Sequence, residues 1–225
     1  MRTAMLWTGG KDSTLALLEA RRMGLEVVSL VTFAPPYARF RAHPLEVIRV
    51  QAESLGVPHR TLEVQAPHEE DYRRQIGRLC ESLQLQALVT GDIAEVNGHP
   101  NFIEDRCREF GVEVIRPLWH ADRLQLLQRL FSFEMSVIFS CVKRPWFDRS
   151  WLGRRFDPAV LRELREIAAR TGMDLCGEEG EYHTLVLGGP MFSRDVEIRG
   201  TPRDAVDGIL HLEVHHAGLA AKVGV

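Results

Sequence analysis

The hydrophobic and polar positions of the chain alternate between short apolar runs and longer segments with helical spacing. The apolar runs predict strands at 3–7, 26–33, 59–64, 86–90, 112–115 and 135–142. Helical spacing predicts helices between them, at 13–23, 45–55, 71–83, 102–110 and 122–133. This strict alternation is typical of a doubly wound, mostly parallel α/β sheet. Asn97-Gly98-His99-Pro100 is typical of a turn.

The pattern changes near Lys143, where an irregular segment follows the last of these strands. Asp157 and Pro158 are a good N-cap and first position for a helix that runs to Thr171. Beyond it, short strands are predicted at 182–187, 195–199 and 209–214. We therefore expect a first domain over 1–145 and a smaller C-terminal α+β lobe over 146–225.

The stretch 8–14, Thr-Gly-Gly-Lys-Asp-Ser-Thr, joins the first strand to the first helix. A tight turn into a helix N-terminus points backbone N–H groups at one spot and is a ready site for phosphate. Lys11 offers a mobile charge, Asp12 a helix cap or a ligand for Mg²⁺, and Ser13 and Thr14 offer hydroxyls. The alternative, an ordinary capped corner, needs only one polar residue.

The spacing of this loop excludes two common phosphate loops. A Walker A loop needs Gly-x-x-x-x-Gly-Lys-Ser/Thr, but Met5 lies five residues before Gly10, and Asp12 replaces the hydroxyl residue. The dinucleotide fingerprint fails because the next glycine is Gly24. The stretch resembles the PP-loop of the N-type ATP pyrophosphatases, Ser-Gly-Gly-x-Asp-Ser, with Thr8 in place of the first serine.

A second candidate is the end of the fourth strand, at Gly91 and Asp92. Ligands of open α/β sheets bind beyond the carboxyl ends of the strands, where the strand order reverses. If the first and fourth strands are neighbours, this turn and the phosphate loop flank one crevice. Gly91 would then leave room for a nucleotide, and Asp92 would bind Mg²⁺ or a substrate amine. Capping of the next segment is an equally weighted role for Asp92.

A third candidate is the acidic loop 176–184, Cys-Gly-Glu-Glu-Gly-Glu-Tyr-His-Thr. Composition alone favours a solvated acidic turn. Like charges this close are costly to bury unless a cation, a metal or a proton compensates them. Other histidines and basic residues carry weaker signals. A strand surface is the expected setting of His211, His215 and His216. The loop containing Arg39, Arg41 and His43 is either solvated or reaches phosphate or substrate.

Composition narrows the class of protein. A net charge of −3 over 225 residues does not suggest a broad nucleic-acid or membrane-binding surface. No apolar run approaches membrane-spanning length, and no secretory signal is recognisable. The 4 cysteines form no C-x-x-C pair, which argues against a structural zinc site and a disulfide framework. A reducing cytoplasm is the expected location.

Several motifs together resemble the diphthine–ammonia ligase family of the PP-loop superfamily. They follow in order as the loop at 8–13, Gly91-Asp92-Ile93, Pro117-Leu118-Trp119, Leu152-Gly153-Arg154, the loop at 177–184, and Gly189-Pro190. The resemblance covers roughly Met5 to Phe192 and implies a PP-loop, HUP-like fold for the first domain, with the lobe binding substrate.

The resemblance implies an ATP- and Mg²⁺-dependent amidation. A substrate carboxylate is adenylated with release of pyrophosphate, and ammonia then displaces AMP. The residues that would hold the pyrophosphate are Gly9, Gly10, Lys11, Asp12 and Ser13. Glu178 and Glu181 would bind ammonium or a positive group of the substrate, and His183 or Glu181 would accept a proton from ammonia.

One departure concerns the acceptor. Family members that make diphthamide more often carry Glu-Thr or Gln-Thr where this chain has His183-Thr184, so the chain looks more like the bacterial branch. The acceptor is expected to be a small-molecule or protein carboxylate, and elongation factor 2 only for an archaeal or eukaryotic type. Free ammonia is the simpler nitrogen source. A homodimer is one candidate for the oligomeric state. Two rival functions are a PP-loop RNA-modifying enzyme and a non-catalytic ATP-binding regulatory module.

Overall fold

The structure is a computed structural model that describes residues 1–95 and 102–222. The turn predicted at 97–100 lies outside the described residues. Contacts divide the chain into two compact units. The first unit contains Met1–Thr8, Asp12–Arg39 and Val57–His120, and the second contains Gly9–Lys11, Phe40–Gly56 and Ala121–Val225. Within the described residues, no helix is long and apolar enough to cross a membrane.

The first unit is built on a parallel sheet of five strands in the order β3-β2-β1-β4-β5. Its strands are β1 (Arg2–Leu6), β2 (Glu26–Ala34), β3 (His59–Glu63), β4 (Ala87–Val89) and β5 (Glu113–Ile115). Three helices connect these strands within the unit: α1 (Lys11–Arg22), α3 (His68–Leu83) and α4 (Phe102–Arg108). The first residue of α1, Lys11, is assigned to the second unit. The strand order reverses between β1 and β4, which confirms the doubly wound α/β fold and makes the first and fourth strands neighbours.

The second unit is built on an antiparallel sheet of four strands in the order β7-β6-β9-β8. Its strands are β6 (Ser136–Lys143), β7 (Tyr182–Gly188), β8 (Asp195–Asp204) and β9 (Ile209–Ala220). Its helices are α2 (Leu45–Leu55), α5 (Arg123–Ser132) and α6 (Pro158–Thr171). Short 3₁₀ turns lie at Arg149–Trp151 and at Val206–Gly208.

The strand predicted at 135–142 exists, but it does not continue the parallel sheet. It is β6, and it pairs antiparallel with β7 and β9. Six consecutive residues of β6 are buried, so its apolar run is the same as that of a central parallel strand, and hydrophobicity cannot distinguish the two. The helix at 45–55 likewise belongs to the second unit. The division into functional domains at residue 145 stays a prediction.

Each unit has its own apolar core. In the first unit the core lies between the sheet and α3, where Ala4, Val31, Ile76 and Leu88 are almost fully buried. In the second unit, aromatic rings pack around Phe139, with ring centroids 5.2 Å away in both Trp151 and Tyr182. Tilted and edge-to-face packing of this kind adds to the stabilisation from burial alone.

The start of α6 follows the sequence prediction. The Oδ1 atom of Asp157 accepts a hydrogen bond of 2.8 Å from the backbone N–H of Val160, and Pro158 is the first helical residue. Gly172 ends the helix in the left-handed conformation.

We expect Asp157→Ala to lower the free energy of unfolding by about 1 kcal/mol, because the N-terminal N–H groups of α6 lose their side-chain acceptor. Urea unfolding followed by circular dichroism measures this change. Glu166→Ala, at an exposed position in the same helix, is the matched control and should change stability far less. Equal stability of Asp157→Ala and the wild type would contradict the capping role.

Candidate active site

The part of the phosphate loop that belongs to the first unit consists of Thr8 and of Asp12 and Ser13 in the first turn of α1. The hydroxyl of Thr8 lies 3.2 Å from that of Ser13, and Asp12 is in the first turn of the helix. The backbone of Gly91 passes so closely that a Cβ there would lie 2.8 Å from the Ser13 nitrogen. Gly91 is therefore required by the close approach of the β4 turn to the start of α1. This arrangement brings together the two turns that the sequence singled out separately.

Asp92 follows Gly91 and is held by its own strand. Its Oδ2 atom accepts a hydrogen bond of 2.8 Å from the hydroxyl of Thr90. Among the described residues, no group of three or more His, Cys, Asp or Glu side chains is arranged to hold a metal ion. A Mg²⁺ ion bound through Asp12 and Asp92 would therefore need most of its ligands from phosphate oxygens and water, which is the usual coordination of Mg²⁺ beside a nucleotide.

The next part of the loop, Gly9–Lys11, belongs to the second unit and lies along β7. The carbonyl oxygen of Gly9 accepts hydrogen bonds from the Val186 N–H at 3.0 Å and from the Gln51 amide at 2.9 Å. The same Gln51 nitrogen donates to the Val186 carbonyl at 2.7 Å. Gly9 has a φ of 76°, and a Cβ there would lie 2.1 Å from the Gln51 Oε1 atom. The chain therefore requires glycine here.

Gln51 was not among the site residues predicted from the sequence. Its side chain projects from α2 and is fully buried, at 0% exposure. A buried amide must have hydrogen-bond partners, and those of Gln51 are the phosphate loop and β7. The only signal in the sequence is a glutamine on the apolar face of a helix, which local pattern does not distinguish from a partly exposed residue.

Lys11 is buried, at 3% exposure, and is not the mobile charge expected from the sequence. Its backbone N–H donates to the Thr184 hydroxyl at 3.0 Å, and its Nζ atom donates to the Cys176 carbonyl at 2.6 Å. Nζ also lies 5.4 Å from the centre of the Tyr182 ring. The acidic loop thus fixes Lys11 twice, its backbone through Thr184 and its ammonium group through Cys176 and Tyr182.

The acidic loop is ordered by Glu181, which is 1% exposed. Its two carboxylate oxygens accept hydrogen bonds from the backbone N–H groups of Asp174, at 2.7 Å, and Glu179, at 3.0 Å. Asp174 in turn accepts from the Cys176 N–H at 2.7 Å and pairs with Arg123 at 3.1 Å. Backbone donors stabilise a buried carboxylate, so the loop is not the freely solvated turn that composition alone favours.

His183 lies next to His43, a residue whose role the sequence left open. Its ring packs edge to face against that of His43, with centroids 5.4 Å apart. Burial, followed by the charges of His183 and Lys11, lowers the pKa of His43 to about 3. His43 is therefore neutral at physiological pH, and its imidazole acts as a hydrogen-bonding group rather than a cation.

The remaining histidine and cysteine candidates are distributed over the second unit. His211 is the β9 partner of Cys141, and His215 lies 3.0 Å from the Thr201 hydroxyl on the exposed β8–β9 pair. Cys176 is buried, with its Sγ atom 3.6 Å from the Arg123 carbonyl. His215 and His216 are exposed on β9, as expected for a strand surface, whereas His211 on the same strand is half-buried.

The fold defines a doubly wound α/β protein with a glycine-containing loop between its first strand and its first helix. The family model for the diphthamide synthase N-terminal domain matches residues 1–114, and the model for the diphthamide synthase C-terminal domain matches residues 122–216. The chain belongs to the diphthamide synthase family. This confirms the family resemblance inferred from the motifs.

Curated relatives support this membership. A diphthine–ammonia ligase of Schizosaccharomyces pombe is 26% identical over 92% of this chain, which spans 37% of that relative's length. A diphthine–ammonia ligase of Danio rerio is 23% identical over 94% of this chain and 89% of its own length. These names describe carbon–nitrogen ligases, so the family is one of enzymes.

A solved structure was also matched. A predicted subunit of a tRNA methyltransferase from Methanocaldococcus jannaschii covers 84% of this chain and 97% of its own, with 17% sequence identity and a TM-score of 0.47. This score is too low to support a conclusion about function.

We expect Gln51→Met to weaken ATP binding at least tenfold, because the Gly9 carbonyl loses one of its two donors and the loop is no longer held in one conformation. The free energy of unfolding should fall by about 2 kcal/mol, since the buried Gly9 and Val186 carbonyls lose a donor. Calorimetric titration with ATP and urea unfolding measure the two effects. Gln128→Met, at an exposed position on α5, is the control. Unchanged ATP affinity in folded Gln51→Met protein would show that this amide does not shape the loop.

Proposed function

We propose that this protein is an ATP-dependent amide ligase that adenylates a carboxylate and transfers ammonia to it. The observation that carries the proposal is the phosphate loop at 8–13, whose Gly9–Lys11 part is held in one conformation by Gln51, Val186 and Thr184. A preorganised loop at a helix N-terminus binds phosphate with little loss of conformational entropy. Membership of a ligase family supports the same reaction class.

The reaction has two steps in this proposal. A carboxylate oxygen of the acceptor attacks the α-phosphorus of ATP, and the bond to the bridging oxygen breaks with release of pyrophosphate. The ammonia nitrogen then attacks the acyl carbon, AMP leaves, and the nitrogen loses a proton to a base. The protein contributes positioning and charge neutralisation rather than a covalent intermediate with one of its own side chains.

The fixed ammonium of Lys11 would neutralise charge on the leaving pyrophosphate. An ammonium group has three N–H donors, and the Cys176 carbonyl accepts one of them. Gly10, Ser13 and Thr14 would contribute backbone or hydroxyl donors next to it. Asp12 and Asp92 would bind Mg²⁺ together with phosphate oxygens, a donor set that suits this hard cation.

The acidic loop supplies the groups for ammonia. Glu178 would bind ammonium, and His183 would accept the proton that the nitrogen loses on attack. The Glu181 carboxylate, which accepts two backbone N–H groups, would act by holding the loop in place while its remaining lone pairs attract the cation.

The acceptor, the nitrogen source and the setting are also proposals. We infer that the acceptor is a small-molecule or protein carboxylate and that the nitrogen source is free ammonia. We also infer that the enzyme acts in the cytoplasm, and a homodimer is one candidate for its oligomeric state. The curated relatives are named for diphthine as their substrate. His183, in place of the Glu or Gln more common in diphthamide-forming members, favours a different carboxylate here. An RNA-modifying function is less well supported, because the net charge is −3.

Phosphorus NMR of the products tests the reaction class. With Mg-ATP, ammonium and a panel of carboxylates, including elongation factor 2 bearing diphthine, we expect AMP and pyrophosphate to form only when an accepted carboxylate is present. Asp12→Asn should lower turnover at least a hundredfold while ATP still binds, since the neutral amide is a poor ligand for Mg²⁺. ADP and phosphate as products would refute adenylation, and ATP binding without turnover would favour the regulatory module.

Replacement by glutamine should have different effects at Glu178 and at Glu181. Glu178→Gln should raise the KM for ammonium with little effect on stability. Glu181→Gln should lower both activity and stability, by about 1–3 kcal/mol, because one of its two backbone donors loses an acceptor. Glu179→Gln is the control within the same loop. Normal amidation by both variants would remove the acidic loop from the mechanism.

A further inference from the structure

A group of basic side chains surrounds Cys141 on one face of the antiparallel sheet. Cys141 pairs with His183 on β7 and with His211 on β9, and paired residues of neighbouring strands share a face. A bulge in β6 directly before Cys141 accompanies this arrangement. His43 packs on His183, and Arg41 interacts electrostatically with both Cys141 and His211. We call Arg41, His43, His183 and His211 the basic cluster.

Two members of the basic cluster have unused hydrogen-bonding atoms. Within residues 1–95 and 102–222, the Nδ1 atoms of His43 and His211 are buried and have no hydrogen-bond partner. Arg41 is exposed, and the described residues offer it neither an ion pair nor a hydrogen bond. Buried polar atoms without partners are rare in folded proteins and are costly unless a ligand or water satisfies them.

The surroundings of the cluster favour an anion. Burial is the largest cause of the low pKa of both His43 and His211, and positive charge adds to it: His183 and Lys11 lower the pKa of His43, and Arg41 lowers that of His211. Glu213 acts in the opposite direction on His211, but its carboxylate is exposed and is paired with Arg203 at 2.7 Å. An anion placed here would meet a guanidinium and imidazole N–H donors, which are strong partners for carboxylate and phosphate oxygens.

Two other ligands are less suitable. A metal ion is disfavoured because the described residues contain no metal-binding group of three or more His, Cys, Asp or Glu side chains. A covalent bond to Cys141 is disfavoured because burial raises the pKa of its thiol to about 11, against a smaller opposite effect of Arg41. The thiol is therefore protonated and acts as a small apolar wall.

The helix that follows His43 adds to the attraction for an anion. Helix α2 begins at Leu45, two residues later, and its N-cap residue, Pro44, makes no side-chain capping hydrogen bond. The backbone N–H groups of its first turn therefore keep their positive partial charges. Glu46, the acidic residue in that turn, is exposed.

We propose that Arg41, His43 and His211 of the basic cluster bind an anionic group of the acceptor, so that the substrate carries a second acidic group besides the carboxylate that is amidated. This inference rests on the proposed ligase function and specifies its substrate class. The second group is a carboxylate or a phosphate, since both present oxygens to the same donors. Lys11 lies near enough to His43 to lower its pKa, and both residues belong to the same compact unit, so one acceptor would contact both places.

Calorimetric titration of the full chain, in the absence of nucleotide, tests binding directly. The probes are succinate and glutarate as dicarboxylates, 3-phosphoglycerate as a phosphorylated carboxylate, and butyrate as a monocarboxylate. We expect at least one doubly acidic probe to bind at least tenfold more tightly than butyrate. Preference for the dicarboxylates or for 3-phosphoglycerate identifies the second group. Equal affinities for all four probes would overturn the proposal.

Variants separate a binding role from a structural one. Arg41→Met and His43→Phe should each weaken binding of the preferred probe at least tenfold. His43→Phe should leave the urea midpoint unchanged or raise it, because it removes a buried nitrogen that has no partner in the protein. Arg49→Met on α2 and His216→Gln on β9, both at exposed positions, are the controls and should bind the probe as the wild type does. Normal binding by both cluster variants would overturn the proposal.

The product assay keeps the two proposals distinguishable. A doubly acidic probe that binds through Arg41 and His43, with ADP as the nucleotide product, would refute adenylation and leave the anion site supported. AMP and pyrophosphate formed with a singly acidic acceptor, at a KM that Arg41→Met does not change, would overturn the anion site and leave the ligase function supported.

Discussion

The carbonyl oxygen of Gly9 accepts hydrogen bonds from the Gln51 amide and the Val186 N–H, and the shape of the phosphate loop depends on this contact. A left-handed glycine exposes its carbonyl on a side where no helix or strand of its own can satisfy it. The donors come from α2 and β7, which are distant in sequence. A loop held in this way has one conformation before any ligand arrives, which lowers the entropic cost of binding for a ligand that fits it.

Burial of charge follows the same logic. Lys11 and Glu181 are both almost fully buried, and the described contacts of each include backbone groups of the acidic loop. Lys11 donates to a carbonyl, and Glu181 accepts from two N–H groups. Hydrogen bonds to charged groups are stronger than neutral ones, so two buried charges can order a glycine-rich loop that has little regular structure of its own. The charge that sequence analysis assigned to chemistry thus has a structural role as well.

Local signals predicted most of the strands and helices in both units. The glycines and hydroxyl residues of the phosphate loop, the alternation of strands and helices, and the cap at Asp157 depend on neighbouring residues, and the structure has them where expected. Local signals did not place β6, because a strand buried on both faces has the same apolar pattern in either kind of sheet. They also did not assign roles to Gln51 and His43, whose partners lie on distant elements.

The sequence by itself determined the class of fold and the family, since both depend on short patterns of residue type and spacing. Tertiary structure alone decided that Lys11 is fixed rather than mobile, that Glu181 holds its own loop, and that four basic side chains gather around Cys141. The last of these features arises from the pairing of β6 with β7 and β9 and from the contact of His43 with His183. The β6–β9 pairing joins residues more than sixty positions apart, and it is set by the packing of the whole core, which no short stretch of sequence encodes.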